Sequence, residues 1–187
     1  KQQPELALLG FPDDILNWTS EHTLKFLTQF GANSVGNLIF GKRAFQIHQQ
    51  RKKNPVGQVK TKERAMAYPK LAIDVLKTGV PGSSAAGEQP KFLVTRIPEQ
   101  IDAIVKFSPV TKESAGRRIA DLLICEHIAL ETLNRHKFVA AKSHLIEARN
   151  QIFLETQRFD RTSTKGRRGL ISLRALDLEF AGTLGTW

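Results

Sequence analysis

Cysteine, methionine and tyrosine occur once each in this chain, as Cys125, Met66 and Tyr68. A single cysteine excludes an intramolecular disulfide and fits a reducing cytoplasm. Cys125 follows the apolar run Leu122–Ile124, so the pattern predicts a buried, inert thiol. No apolar run approaches the ~20 residues of a membrane span, and no signal-peptide pattern opens the chain. His22, His48, His127, His136 and His144 lack metal-ligand spacing, and no Ser/His/Asp grouping stands out. Acidic residues are short: 18 Asp and Glu stand against 28 Lys and Arg, a formal net charge of +10.

The remaining composition is that of a globular protein, 41% hydrophobic and 25% charged over 187 residues. That length suits one domain of two subdomains, divided here as 1–80 and 81–187. The first residue is Lys1 rather than Met, so a trimmed N-terminus is expected. The densest basic run is Arg51-Lys52-Lys53, with Lys60, Lys62, Arg64 and Lys70 behind it. One reading of that run is a solvated loop. The other is electrostatic contact with nucleic acid, although few aromatics are interleaved for base stacking.

Periodicity predicts an α+β chain. Residues 12–30 read as helical, with Ser20 a candidate cap. Residues 36–41 read as a short strand between glycines, and 50–61 as a polar surface loop. Residues 62–78 are helical in pattern, with Pro69 expected to kink or break the helix. Strands follow at 92–97 and 102–107, turning at Pro98. A helix over 114–136, with Ser114 a candidate cap, is expected to be largely buried. Two more strands, 140–147 and 153–159, turn tightly at 148–150. Residues 162–169 read as an exposed loop, and 175–180 as the start of a helix.

Chemistry concentrates in three places. Gly82-Ser83-Ser84-Ala85-Ala86-Gly87-Glu88-Gln89-Pro90-Lys91-Phe92 is a small-residue loop entering a strand that carries a lysine. Small residues let backbone N–H groups approach phosphate oxygens, and lysine supplies charge. The loop is neither a Walker A motif nor a Gly-x-Gly-x-x-Gly fingerprint. A second lysine sits in the apolar run Ile104-Val105-Lys106-Phe107, and Gln157-Arg158-Phe159-Asp160-Arg161 comes third.

In that order the three segments resemble the HipA family of bacterial serine/threonine kinase toxins, strongly from Gly82 to Arg161 and more weakly upstream. The Gly-Glu-Gln-Pro-Lys form and the later Arg-Arg-Gly segment look closer to the HipH or YjjJ branch. The resemblance implies a HipA-like N-terminal subdomain followed by a kinase-like N-lobe, an antiparallel sheet with a packed helix. It implies a kinase using ATP and Mg2+ on a protein substrate, such as an aminoacyl-tRNA synthetase, with an antitoxin partner. ATP would be held by Ser84, Ala85, Ala86, Gly87, Lys91, Lys106, Gln157, Arg158, Phe159 and Asp160. The family's glutamate is replaced by Gln157, which main-chain recognition of adenine would tolerate. Asp160 would accept ribose hydroxyls or pair with Arg158 or Arg161. Ser84 matches the autophosphorylated serine, with Ser83 its neighbouring alternative; a phosphate there would repel the nucleotide's own. The acid pairing with Lys106 is Asp121, ahead of Glu126, on the 114–136 helix.

No Asp-x-x-x-x-Asn occurs in the chain. The expectation is therefore an N-terminal fragment that lacks the catalytic loop and the C-terminal lobe and is inactive alone. The competing readings are a regulatory module that docks on a kinase partner and a DNA-binding regulator using the basic region.

Overall fold

A computed structural model describes residues 9–12, 14–55, 57–78, 89–162 and 164–182. The fold is α+β, and the described residues form five α-helices and one five-stranded sheet. In chain order these are α1 (Ser20–Phe30), α2 (Lys42–Lys53), β1 (Gln58–Lys60), α3 (Arg64–Thr78), β2 (Lys91–Ile97), β3 (Ile101–Phe107), α4 (Ser114–Arg135), β4 (Ser143–Ala148), β5 (Gln151–Gln157) and α5 (Leu173–Phe180). The strand order is β1-β2-β3-β5-β4.

The sheet is mixed rather than wholly antiparallel. β1 runs parallel to β2, with Gln58 opposite Thr95 and Lys60 opposite Ile97. Parallel neighbours need a long crossover, and α3 supplies it. The other pairs are antiparallel. The β4–β5 hairpin closes through Arg149 and Asn150, both at positive φ (49° and 57°). Two left-handed residues make the turn whose twist matches paired strands.

Alternation sorts the sheet into two faces. One carries Phe92, Val94, Ala103, Val105, Phe107 and Phe153, buried with Val59 and with Tyr68 and Ala72 of α3. Tyr68 meets Phe92 edge-on at 5.4 Å between ring centroids. Each such buried aromatic contributes about 1.5–3 kcal/mol by leaving water. Glu155 points into this same face at 2% exposure. It accepts hydrogen bonds from the Tyr68 hydroxyl, from Arg64 at 3.2 Å and from Arg96 at 3.0 Å. A buried carboxylate thus fastens α3 to the sheet. Burial, followed by that hydrogen bond to Glu155, pushes the Tyr68 hydroxyl far above the usual phenol range.

The opposite face takes α4 through Leu123 and Leu154, both fully buried. A Cβ at Gly116 would lie 2.1 Å from the Val110 carbonyl oxygen, so only glycine lets the start of α4 approach this closely. The rest of α4 is less buried than its pattern predicts: Leu122, Ile128 and Leu133 are exposed. So is Cys125, which is a surface thiol rather than a buried one.

Several local expectations are corrected. Thr19, not Ser20, caps α1: its hydroxyl accepts the His22 N–H at 3.3 Å while His22 Nδ1 accepts the Thr19 N–H at 3.1 Å. Glu113 occupies the N-cap of α4 without a side-chain bond, so Ser114 is already inside the helix. Residues 36–41 form no strand. Residues 50–61 are not one loop, because α2 runs to Lys53 and β1 begins at Gln58. Pro69 does not break α3, which is continuous from Arg64 to Thr78. The proline forgoes the bond to the Ala65 carbonyl, but its ring is fully buried against the core.

Candidate functional site

β2 and β3 place Lys91 directly opposite Lys106. Cross-strand partners share a face, here the face under α4. Lys91 is 3% exposed. Burial, and then the charge of Lys106, lower its pKa from the ordinary lysine value. Lys106 is only partly buried, and its Nζ lies 2.7 Å from each carboxylate oxygen of Glu126 on α4. Asp121 is exposed and does not meet Lys106. Five residues before Glu126, it lies about 140° away around the helix. The pairing acid is therefore Glu126, a correction to the order of preference given above. One residue further on, His127 Nδ1 is 2.8 Å from Ser143 Oγ on β4, a tie the sequence did not suggest.

Ser83, Ser84, Ala85, Ala86 and Gly87 lie outside the described residues.

The segment after β5 is tightly held. The Gln157 N–H donates to the Lys142 carbonyl at 2.8 Å, and the Arg158 N–H to the Asp102 carbonyl at 2.9 Å. Phe159 is exposed. Asp160 is 4% exposed. Its carboxylate receives Arg158 Nε at 2.9 Å, Arg158 Nη2 at 2.7 Å, Arg161 Nη1 at 2.8 Å and the Gly36 N–H at 2.9 Å. Burial works to raise the Asp160 carboxyl pKa. The hydrogen bonds from Arg158 and Gly36, and the charges of Arg158 and Arg161, outweigh it and hold the carboxyl below the usual range.

Arg167 completes this cluster. It donates to the carbonyls of Gly36 at 2.7 Å, Ala32 at 3.1 Å and Ser34 at 2.6 Å. The stretch 162–169 is thus not merely an exposed loop, since Arg167 is half-buried in this contact. Arg158, Arg161 and Arg167 together wrap the turn 32–36 and attach the α1–α2 pair to the end of the sheet. Gly36, at φ 78°, allows that turn to aim its N–H at Asp160. The sequence signal was faint: an acid between two arginines, and a small-residue stretch with no apolar period.

Beside this cluster a cleft of about 320 Å3 opens between α2, the turn at 32–33 and the ends of β2 and β3. Six cationic side chains, Arg51, Lys52, Arg158, Arg161, Lys165 and Arg167, stand among its otherwise largely apolar walls. The basic run found in the sequence is dispersed by the fold. Arg64 turns inward to Glu155, and Lys60 pairs with Glu63 at 3.0 Å, leaving Arg51 and Lys52 at the cleft. Among the described residues no group of three His, Cys, Asp or Glu could hold a metal ion. No described helix is long and apolar enough to cross a membrane.

The chain matches the family model of the HipA-like C-terminal domain over residues 83–183, more than half its length. The middle domain of YjjJ-like toxins matches residues 2–49. Toxin YjjJ of Escherichia coli (strain K12) is 34% identical over 186 residues, which cover 97% of this chain and 41% of that protein. The chain thus spans less than half the length of this curated relative. No solved structure gives a significant match. The resemblance carried by Gly82–Lys91, Lys106 and Gln157–Arg161 is borne out: the chain belongs to the HipA-like family, and it is similar over nearly its whole length to a YjjJ toxin.

Proposed function

We propose that this chain is the nucleotide-binding part of a HipA-type serine/threonine protein kinase that uses Mg-ATP. The observation that carries the reading is the two-pronged Lys106–Glu126 pair joining β3 to α4. A lysine held in this way by a helix acid is pre-set to meet phosphate oxygens, as in protein kinases. Lys91 supports it from the neighbouring strand. Burial and Lys106 both disfavour its charge, and an anion on that face would offset both.

Bound ATP would supply the phosphoryl group, which passes to a serine or threonine hydroxyl of a protein and leaves ADP. Lys106 would bind and neutralise phosphate, and Glu126 would orient Lys106. The loop with Ser83 and Ser84 would cover the phosphates, with Ser84 as the autophosphorylation site. Main-chain donors of Gln157 and Arg158 are already used within the chain, so the base would meet the main chain at Phe159. Of the two roles open to Asp160, the geometry supports pairing with arginine. No magnesium ligand is assigned to these residues. On the family's precedent the substrate is a protein such as an aminoacyl-tRNA synthetase, and an antitoxin restrains the toxin.

The test is phosphoryl transfer from labelled ATP by a longer protein containing this chain. Lys106→Ala should abolish it, and unchanged transfer by that variant would reject the reading. The 187 residues alone, with no Asp-x-x-x-x-Asn, should transfer nothing measurable.

A further inference from the structure

The cleft beside the arginine cluster lies outside the lysine–glutamate pair of the scheme above and shares only Arg158 with it. Lys91, Lys106 and Glu126 are not among its walls. Arg158 and Arg161 share one carboxylate, Asp160, with neutral carbonyls and the Asn33 amide as their other acceptors. Arg167 bonds only neutral groups, the Ala32, Ser34 and Gly36 carbonyls and the Ser34 hydroxyl. Hydrogen bonding is therefore well satisfied while charge is not, and uncompensated buried charge is costly. Arg51 and Lys52 of α2 add two cations at the same cleft, and neither forms an ion pair among the described residues. The one carboxylate in the walls, Asp102, accepts the Thr95 hydroxyl at 2.6 Å, and its charge offsets part of that of Arg161, so the walls keep an excess of positive charge.

Two further observations show the field and the shape. His48 resists protonation through burial and then through Arg167, Lys52, Arg161 and Arg51, so these four charges converge on one ring. The remaining wall is apolar, with Leu71, Phe92 and Val94, and includes Gln100, whose Oε1 is buried without a hydrogen-bond partner. A cavity of about 320 Å3 is of small-molecule size. An anionic group at one end and a planar, donor-bearing body at the other match its two walls.

We infer that this cleft binds a small phosphate ester, with the phosphate held by Arg51 and Lys52 beside His48 and a ring N–H of the ligand donating to Gln100 Oε1. Lys91, Lys106 and Glu126 lie outside its walls, so a Lys106 variant distinguishes failure of this inference from failure of the kinase reading.

Uridine monophosphate carries both features and serves as the probe, titrated into the folded chain by calorimetry alongside uridine and inorganic phosphate. Uridine monophosphate should bind more tightly than either part alone. Arg51→Gln with Lys52→Gln should weaken it at least about tenfold, the loss of a charge-assisted hydrogen bond, and Gln100→Leu should weaken it as well. Lys106→Ala should leave it unchanged, and so should Lys42→Gln with Lys53→Gln, a control of equal charge on the same helix. All four helix positions are exposed, and an unchanged melting temperature confirms that each variant is folded. Absence of uridine monophosphate binding at millimolar concentration would overturn the inference. So would equal weakening by the control pair, or loss of binding in Lys106→Ala.

Discussion

The Asp160 carboxylate accepts the main-chain N–H of Gly36 at 2.9 Å, across 124 residues of sequence. That bond, with the arginines around it, fixes the α1–α2 pair against the end of the sheet. Asp160→Asn keeps the shape and removes the charge, leaving Arg158 and Arg161 without their counter-ion. The expected cost is about 3–5 kcal/mol, the scale for breaking a buried pair from one side. Urea unfolding measures it, and a change below about 1 kcal/mol would mean that the cluster behaves as a surface pair.

Glu155 plays a comparable part between α3 and the sheet. Glu155→Gln should destabilise by about 3–5 kcal/mol because Arg64 and Arg96 lose their counter-charge. Tyr68→Phe should cost about 1–3 kcal/mol, since a buried acceptor loses one donor. The two losses should not add, because both act on the same carboxylate. A double-mutant cycle checks this, and strict additivity would contradict the shared contact.

Acid should weaken the fold in two steps. His48 has a lowered folded pKa. Its contribution is complete above the ordinary histidine value of about 6.5 and is lost as pH falls through the folded value. Asp160 is also lowered; its contribution is complete above about 3.9 and fades at still lower pH. His48→Gln should abolish the upper step alone. A stability profile between about pH 7 and 5 that is the same in the variant would contradict the crowding of cations around His48.

Cys125 should react in the native state with one equivalent of a thiol reagent, at a rate near that of the unfolded chain. Protection of this thiol until unfolding would contradict its place on the open side of α4.

The central sheet was legible in the sequence. Strands β2 and β3 carry β-branched and aromatic residues in a pattern no helix would use, and the turn read at 148–150 falls at Arg149 and Asn150, with Ala148 still paired in β4. The HipA resemblance was legible because three motifs stood in order. β1 was missed because its three residues bury only Val59. α2 was missed because Ala44 is its only buried residue, so there was no apolar stripe to find. Glu126 was ranked below Asp121 because sequence gives helix spacing but not which face a strand lysine meets. Arg167 was invisible for a different reason: its partners are carbonyls of residues 32–36, and backbone acceptors leave no trace in side-chain identity.

The most direct measurement is calorimetric titration of Mg-ATP into this chain, with Lys106→Ala and Glu126→Gln beside it. Binding should occur in the parent chain. Lys106→Ala should lose about 1.5–3 kcal/mol of it, as for a hydrogen bond to a charged group, and Glu126→Gln should lose less. Mg-ATP binding of equal strength in all three proteins would contradict the assignment of phosphate recognition to Lys106.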